Sequence, residues 1–308
     1  LARGAETVPM RGAPLYVVGG AWRAFAKLHM ERVGWPLRVL QGYRIETASA
    51  ASVAAWIESQ SADALKAAGA SSGRAGTAPL AATVMRRICA KLEPSEIRVS
   101  ALGLREGAFF DRMPPSVRAS DPLIDACARL EANQARFPGF GEELARWIEP
   151  ALAGWSAAEL RLARAAALLN DVNWRAHPDY RAVSCFETMT RGNLSGLDHA
   201  ERVFVGFSLM NRYGGGKRSA DVEEALAALD ADRRDRAKAL GRGLRLGAMI
   251  SASTPGALAD TPIARASATL RLRIDPAAAD LAGSVVERRL SAFADAMGLG
   301  WRVQTPGG

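Results

Sequence analysis

The stretch Leu15-Tyr16-Val17-Val18-Gly19-Gly20-Ala21-Trp22-Arg23 joins a compact run of strand-forming residues to a pair of glycines. Beyond the glycines, Trp22, Phe25, Ala26 and Met30 recur at the spacing of one helix face. This pattern predicts a strand, a tight turn and a helix. A chain that continues in this way builds an α/β fold, so the stretch decides the class of the first part of the molecule.

The pair Gly19-Gly20 lies where the strand gives way to the helix. Because side chains are absent here, backbone amides can approach a ligand oxygen, and a helix N-terminus favours an anion. Arg23 on the first helical turn would add a cation. A phosphate fits such a turn, although a plain tight turn beside an ordinary surface arginine explains the same residues.

The residues that follow keep alternating between strand and helix patterns. Leu37–Leu40 and Ile97–Ala101 have strand patterns, whereas Ala50–Ala64 and Leu80–Lys91 have helical ones. This alternation predicts a mainly parallel sheet with helices on its faces. Ligands of such folds collect at the carboxyl ends of the strands.

A second glycine-flanked turn, Gly103-Leu104-Arg105-Glu106-Gly107, follows the strand pattern Ile97–Ala101 and precedes a helix predicted at Ala108–Met113. Two such turns in one α/β domain indicate a single cleft lined by both. Arg105 and Glu106 could contact a ligand in that cleft. An ion pair between them that braces the loop explains the same residues equally well.

Prolines divide the chain after this region. Met113-Pro114-Pro115-Ser116 and Asp121-Pro122 break any regular element, which predicts three domains at residues 1–113, 114–250 and 251–308. The second domain is predicted to be all-helical, with helices at Leu123–Phe137, Gly141–Ile148, Ala157–Leu169, Ala200–Tyr213 and Val222–Met249. The third is predicted to be a small α+β module, with strands at Ala268–Ile274 and Trp301–Gln304 and a helix at Leu281–Met297.

The composition favours an anionic partner. The 308 residues carry a net charge of +8, and of the 40 basic residues five are lysine and 35 are arginine. Arginine is the side chain best suited to bidentate phosphate contact, and a positive field attracts polyanions. A codon bias in a chain rich in Ala and Gly would produce the same arginine excess.

Other sequence features limit the class of protein. There is no run of 18 uncharged apolar residues, so no membrane span is predicted and a cytoplasmic location is expected. Cys89, Cys127 and Cys185 lack CxxC spacing, which indicates neither a disulfide framework nor a zinc site. The first residue is Leu1 rather than Met, and no secretory signal follows it, so the natural start is expected upstream.

Several segments together resemble one family, the bacterial exopolyphosphatases and guanosine pentaphosphate phosphohydrolases. Leu15–Met30 resembles the segment that forms a phosphate loop in that family, and Ser100–Gly107 is similar to its second signature. Gly73–Leu80 resembles the turn that carries an arginine, here Arg74, before a long helix. Leu168–Arg181 resembles the signature of the family's helical domain, so the resemblance covers nearly the whole chain in the right order.

The resemblance implies a fold, an activity and a site. It implies a partial actin-like (ribonuclease H-like) α/β domain, an all-α HD-like domain and a small α+β module, in a cytoplasmic homodimer that depends on Mg²⁺. The implied activity is release of the terminal phosphate from inorganic polyphosphate or guanosine pentaphosphate. The catalytic Glu of the family is expected upstream of Leu1, so little turnover is expected from this chain alone. The implied phosphate-binding residues are Gly19, Gly20, Arg23, Arg74, Gly103, Arg105, Glu106 and Gly107.

The helical domain departs from the HD-type metal site that its family counterpart resembles. Asn170-Asp171 stands where that site has a His-Asp pair, and the whole chain has only three histidines, so a metal-free domain is predicted. Arg175, His177 and Arg181 could line a basic groove that guides a polyanion to the cleft. Alternatively, Trp174 packs in the core and the arginines are solvated.

Two further basic segments lie in the second half of the chain. Gly214-Gly215-Gly216-Lys217-Arg218 follows a helix and lacks Walker spacing, so a flexible helix C-terminus is predicted. Arg233-Arg234-Asp235-Arg236 mixes charges, as a solvated helix face does. The alternative function is a non-catalytic polyanion-binding or regulatory module. Nucleic-acid binding is not favoured, because no aromatic-basic interleaving or helix-turn-helix signature accompanies the charge.

Overall fold

The computed structural model describes residues 11–215 and 218–305. The chain forms two compact units. The first extends to Ser120 and includes the segment Ser195–His199, while the second comprises Asp121–Leu194 and the residues from Ala200 onward. The division into three domains at residues 113 and 250 stays a prediction.

The first unit contains a three-stranded sheet. Strand β1 (Leu15–Val18) pairs in parallel with β3 (Glu96–Ser100), with Val18 opposite Ser100, and β2 (Tyr43–Glu46) pairs antiparallel with β3. The order is β1-β3-β2. The sheet is therefore mixed, and the prediction of a mainly parallel sheet was wrong for this part of the chain.

Strand β2 does not lie at Leu37–Leu40, where a strand was predicted; that segment is irregular. Tyr43–Glu46 forms the strand instead, because it pairs with β3 and thereby buries Tyr43 and Ile45 and leaves Arg44 and Glu46 outside. Gly42, at a φ of +79°, turns the chain into the strand.

Seven helices of the described residues accompany this sheet. They are α1 (Gly20–Arg32), α2 (Thr47–Glu58), α3 (Ala62–Ala67), α4 (Ser72–Ala75), α5 (Ala78–Leu92), α6 (Leu104–Asp111) and α7 (Pro115–Ala119). The single helix predicted at Ala50–Ala64 is split, because the Ser61 hydroxyl accepts a hydrogen bond from the Ala64 amide at 3.2 Å and starts a new helix.

The two faces of this sheet differ. Val17, Ile45 and Ile97 are buried in a core shared with α1, α2 and α5. The other face carries polar residues: Glu96 accepts from Arg44 Nε at 2.7 Å and from Arg98 Nε at 2.5 Å. One face thus supplies the hydrophobic stabilisation of the unit, and the other is held by charge-assisted hydrogen bonds.

The second unit is mostly helical with a small sheet. Its helices are α8 (Pro122–Gln134), α9 (Phe140–Ile148), α10 (Ala157–Leu168), α11 (Pro178–Arg191), α12 (His199–Arg212), α13 (Ala220–Leu226), α14 (Ala231–Ile250) and α15 (Ser284–Ala296). The first residue of α12, His199, belongs to the first unit. Its strands are β4 (Ile263–Ala266), β5 (Thr269–Arg273) and β6 (Gly300–Gln304), with β4 antiparallel and β6 parallel to β5.

Three details of this unit differ from the sequence-based expectation. The helix predicted at Val222–Met249 is two helices, because the Asp230 carboxylate accepts from the Arg233 amide at 2.8 Å and caps a new one. Helix α11 was not predicted as a helix. Strand β4 was also missed, because its Ile-Ala-Arg-Ala sequence has too little alternation to stand out.

Among residues 11–215 and 218–305, no helix is both long and apolar enough to cross a bilayer.

Candidate functional site

The turn between β1 and α1 has the geometry of an anion site. Gly19 adopts a φ of +107°, a conformation that glycine reaches without steric cost, and helix α1 begins at the next residue. No side chain caps this helix, so the backbone amides of its first turn, which begins at Gly20, are available to a ligand. Unpaired amides at a helix N-terminus favour a negatively charged ligand.

Arg74 lies directly against this turn. A Cβ atom placed on Gly20 would be 2.7 Å from Nη2 of Arg74 and 3.2 Å from its Cζ. Gly20 is therefore the residue that allows the guanidinium to approach the helix N-terminus. Helix α4, which carries Arg74, thereby brings a cation to the end of β1 from a distant part of the sequence.

A cavity of about 360 Å³ opens at this point. The residues that line it are Gly20, Arg23, Ala24, Lys27, Leu40, Gly69, Ala70, Ser71 and Arg74. Three of these carry a positive charge, all three are exposed to solvent, and the described lining contains no carboxylate. The structure thus brings together Gly20, Arg23 and Arg74 from the residues proposed on sequence.

Lys27 was missed as a site residue. It lies four residues after Arg23 on α1, so both side chains emerge from the same helix face. That spacing was the signal in the sequence that could have identified it.

The second loop, after β3, lies beside the first because β1 and β3 are parallel neighbours. Arg23 Nη1 donates to the carbonyl of Ala101 at 3.3 Å and so links α1 to this loop. Gly103 starts α6, and its amide donates to Oε2 of Glu106 at 2.7 Å. Glu106 serves as a helix cap here.

The charged residues of the second loop can stabilise the loop itself as well as bind a ligand. The hydrogen bond from the Gly103 amide lowers the pKa of Glu106, and the positive charges of Arg105 and Arg23 lower it further. No ion pair joins Arg105 to Glu106 in the described part of the chain. Gly103, Arg105, Glu106 and Gly107 do not line the cavity beside Gly20.

The residues of the predicted polyanion groove belong to the second unit, and each has a local contact. Arg175 stacks on the Trp174 ring, with Cζ 4.6 Å from the ring centroid. Arg181 donates from Nη2 to the Ala176 carbonyl at 3.1 Å. His177 is the N-cap of α11 and accepts from the Asp179 amide at 3.3 Å. Trp174 is half-buried, whereas Arg175 and His177 are exposed.

Asn170-Asp171 is buried in the second unit, with exposures of 1% and 7%. Asn170 Oδ1 accepts from Nε of Arg212 at 2.6 Å, so a guanidinium contacts the pair. Across the described residues, no group of three or more His, Cys, Asp and Glu side chains could hold a metal ion. The described residues therefore do not fit a Mg²⁺ site held by the protein alone.

The remaining basic segments have ordinary partners. Gly214 and Gly215 follow α12, while Gly216 and Lys217 lie outside the described residues. Arg218 pairs with Glu223 at 2.6 Å. Arg236 pairs with Asp232 at 2.8 Å and with Glu159 at 2.7 Å. Each segment thus has one arginine paired with a carboxylate, while Arg234 donates from Nε to the neutral Leu229 carbonyl at 3.0 Å.

Comparison with known proteins adds the family. A family model described as the C-terminal region of exopolyphosphatase matches residues 123–303, which cover most of the second unit. A search of curated proteins finds no significant match. The matched region is more than half of the chain, so the chain belongs to the exopolyphosphatase family, which also includes the guanosine pentaphosphate phosphohydrolases.

Proposed function

We propose that this chain is an exopolyphosphatase-type phosphohydrolase that releases the terminal phosphate of inorganic polyphosphate or guanosine pentaphosphate. One structural observation supports the proposal in addition to family membership. Arg23, Lys27 and Arg74 converge on the glycine turn of α1 in a cavity whose described lining has no carboxylate. An uncompensated positive site at a helix N-terminus suits a polyphosphate end, which carries several negative charges.

The chemistry follows from charge and position. Phosphoryl transfer needs little covalent help from the protein, because the main tasks are to align the phosphate and to stabilise charge on its oxygens. Arg74 and Arg23 offer planar donors that can bind two phosphate oxygens each, and Lys27 adds a point charge. The amides at Gly20 would bind a further oxygen.

The described site lacks a group to activate water. Glu106 is the carboxylate of the adjacent loop, and its Oε2 is occupied by the Gly103 amide. Because its pKa is lowered, Glu106 is also a weak base. We therefore propose that the water-activating Glu lies outside the 308 residues and that this chain binds phosphate better than it hydrolyses it.

We propose that the first unit is part of an actin-like domain. Strand β1 is an edge of the described sheet, and Tyr16 and Val18 on it are 62% and 47% exposed, so further strands could pair there. Mg²⁺ would arrive bound to substrate phosphates, as it often does in phosphoryl transfer.

A cytoplasmic homodimer is the proposed state of the protein. Leu104, Phe109 and Phe110 on α6 are 87%, 70% and 50% exposed, and no residue of this helix is buried. Exposed apolar residues in one short helix are typical of a surface that another chain covers. Light scattering after gel filtration measures the mass and decides between a monomer and a dimer.

The phosphate site is tested by binding. Arg74→Gln should raise the Kd for tripolyphosphate about tenfold or more, because a lost charge-assisted hydrogen bond is worth ~1.5–3 kcal/mol. The matched control is Arg87→Gln, which removes the same charge from an exposed position on α5. Isothermal titration calorimetry measures both variants. Equal affinity in the two variants would contradict the site.

A further inference from the structure

Arg23, one of the three cations of the cavity beside Gly20, is held by a contact outside that cavity. It is exposed on α1, and its Nη1 donates to the Ala101 carbonyl at 3.3 Å, in the loop that follows β3. A long side chain on a helix surface otherwise samples several rotamers, and ordering it costs conformational entropy. The position of the Ala101 carbonyl therefore affects how well Arg23 is aligned for a ligand.

Side chains hold the peptide units on both sides of Ala101. The unit before it donates the Ala101 N–H to Oε1 of Gln41 at 2.8 Å. The unit after it donates the Leu102 N–H to Oγ of Ser100 at 3.1 Å. The Ser100 hydroxyl in turn lies 3.4 Å from Oε1 of Gln41. Gln41 therefore supports this loop from a separate segment of the chain.

Gln41 reaches the loop because the backbone on either side of it has a fixed place. The Gly42 amide donates to the Val99 carbonyl of β3 at 3.0 Å. On the other side, Leu40 lines the cavity. Residues 40–42 therefore contact both the cavity and the neighbourhood of the loop that holds Arg23. Gln41 is half-buried, and partial exclusion of water strengthens its hydrogen bonds.

The chemistry of the Gln41 side chain suits this position. Its oxygen must face the loop, because the Ala101 amide and the Ser100 hydroxyl are both donors there. A carboxylate could accept the same hydrogen bonds, but its negative charge would offset part of the positive potential of the cavity. The side-chain amide accepts the hydrogen bonds without adding a charge.

We infer that Gln41 is a positioning residue of the phosphate site, because it fixes the Ala101 peptide whose carbonyl orients Arg23. This inference rests on the proposed function, in which Arg23 binds phosphate oxygens. Gln41 is not among the described residues that line the cavity, so it acts through Arg23 rather than by contact with the ligand. Its loss leaves the charge of the site unchanged and makes the aligned position of one cation less populated.

A double-mutant cycle on the affinity of the full chain for tripolyphosphate, measured by calorimetry, tests this role. Gln41→Met keeps the length of the side chain and removes the acceptor, so it should raise the Kd about three- to tenfold, as the loss of one hydrogen bond does. In an Arg23→Gln background the same substitution should change the Kd by less than about twofold, because the residue through which it acts is gone. In an Arg74→Gln background it should keep its full effect.

The matched control is Gln60→Met, which removes the same amide group just after α2, where its Nε2 donates to Ser59 Oγ at 2.9 Å. It should leave the Kd unchanged. A general loss of structure would raise the Kd equally in both arginine backgrounds, and that result overturns the inference. If an arginine variant raises the Kd but Gln41→Met does not, the inference alone fails. If neither Arg23→Gln nor Arg74→Gln raises the Kd, the proposed function fails and the inference fails with it.

Discussion

At the scale of single residues, buried polar side chains stabilise the structure at positions where the sequence pattern does not predict burial. Arg202 is fully buried, with an exposure of 0%, and its Nη1 donates to the Gly192 carbonyl at 2.7 Å. It also donates to the carbonyls of Met189 and Leu194. A buried guanidinium is tolerated because it satisfies carbonyls at the end of α11 that would otherwise lack partners.

His29 is a second buried polar residue, in the core of the first unit. Its Nδ1 is 2.8 Å from the Tyr43 hydroxyl and its Nε2 is 2.9 Å from Oγ of Ser49. Burial lowers its pKa from 6.5 to about 4. The folded state therefore holds this histidine neutral at pH values where the unfolded chain already binds a proton.

This difference predicts a loss of stability in mild acid. Below about pH 6.5 the unfolded state takes up a proton that the folded state refuses, so the free energy of unfolding falls until about pH 4 and then levels off. At pH 5 the contribution lost is about 2 kcal/mol, at ~1.4 kcal/mol per pH unit. Urea unfolding at pH 7 and pH 5 measures it.

The control is His29→Gln, which removes the titrating group and keeps a polar side chain near Tyr43 and Ser49. Its stability should vary less between pH 7 and pH 5 than that of the natural chain, by about the same 2 kcal/mol. An unchanged pH dependence in the variant would show that other groups cause the effect.

At the scale of elements, helix ends depend on a few side chains. The Asp121 carboxylate accepts from the Leu123 amide at 2.9 Å at the start of α8, and Arg161 Nη2 donates to the same carboxylate at 2.9 Å. The hydrogen bond from Arg161 lowers the pKa of Asp121. Asp121 therefore both caps α8 and ties it to α10.

Two substitutions separate these roles. Asp121→Ala should destabilise the chain by about 1–2 kcal/mol, because it removes the cap and leaves Arg161 without this partner. Asp121→Asn keeps an oxygen for the cap and should cost less. Thermal unfolding measures both. Equal losses in the two variants would show that the cap contributes nothing and that the charge alone matters.

The elements also show what a sequence can and cannot reveal. Strands β1 and β3 and helix α5 were predicted to within two residues, because their apolar residues recur at clear strand or helix spacing. The β2 prediction failed because Leu37–Leu40 is as apolar as a strand, and only pairing with β3 selects Tyr43–Glu46. The local sequence pattern alone does not show which of these two segments forms the strand.

At the scale of the whole molecule, the cavity beside Gly20 combines residues far apart in the sequence. Gly20 and Arg23 could be proposed from a strand-turn-helix pattern, but nothing in the sequence pattern alone places Arg74 against Gly20. The resemblance to the family supplied Arg74, and the fold brings it to the site. The contact of Arg212 with Asn170 could not be predicted, since α12 brings Arg212 to a residue in a separate segment of the sequence.

Family membership and the proposed function are supported by different parts of the chain. The match over residues 123–303 lies almost wholly in the second unit, whereas the cavity lies in the first. The function therefore depends on whether that cavity positions a phosphate for hydrolysis. Binding at Arg74 without any hydrolysis, in a protein that also carries the water-activating Glu, would instead favour a polyanion-binding module.

Phosphate release from inorganic polyphosphate in the presence of Mg²⁺ is the most direct test. It is measured for this chain and for any longer protein that its gene encodes, each with Arg74 and with Arg74→Gln. We predict release by the longer protein, reduced about 100-fold or more by Arg74→Gln because the lost group stabilises transferring phosphate charge. Absence of release from both natural proteins, or full activity of the Arg74→Gln variant, would contradict the account.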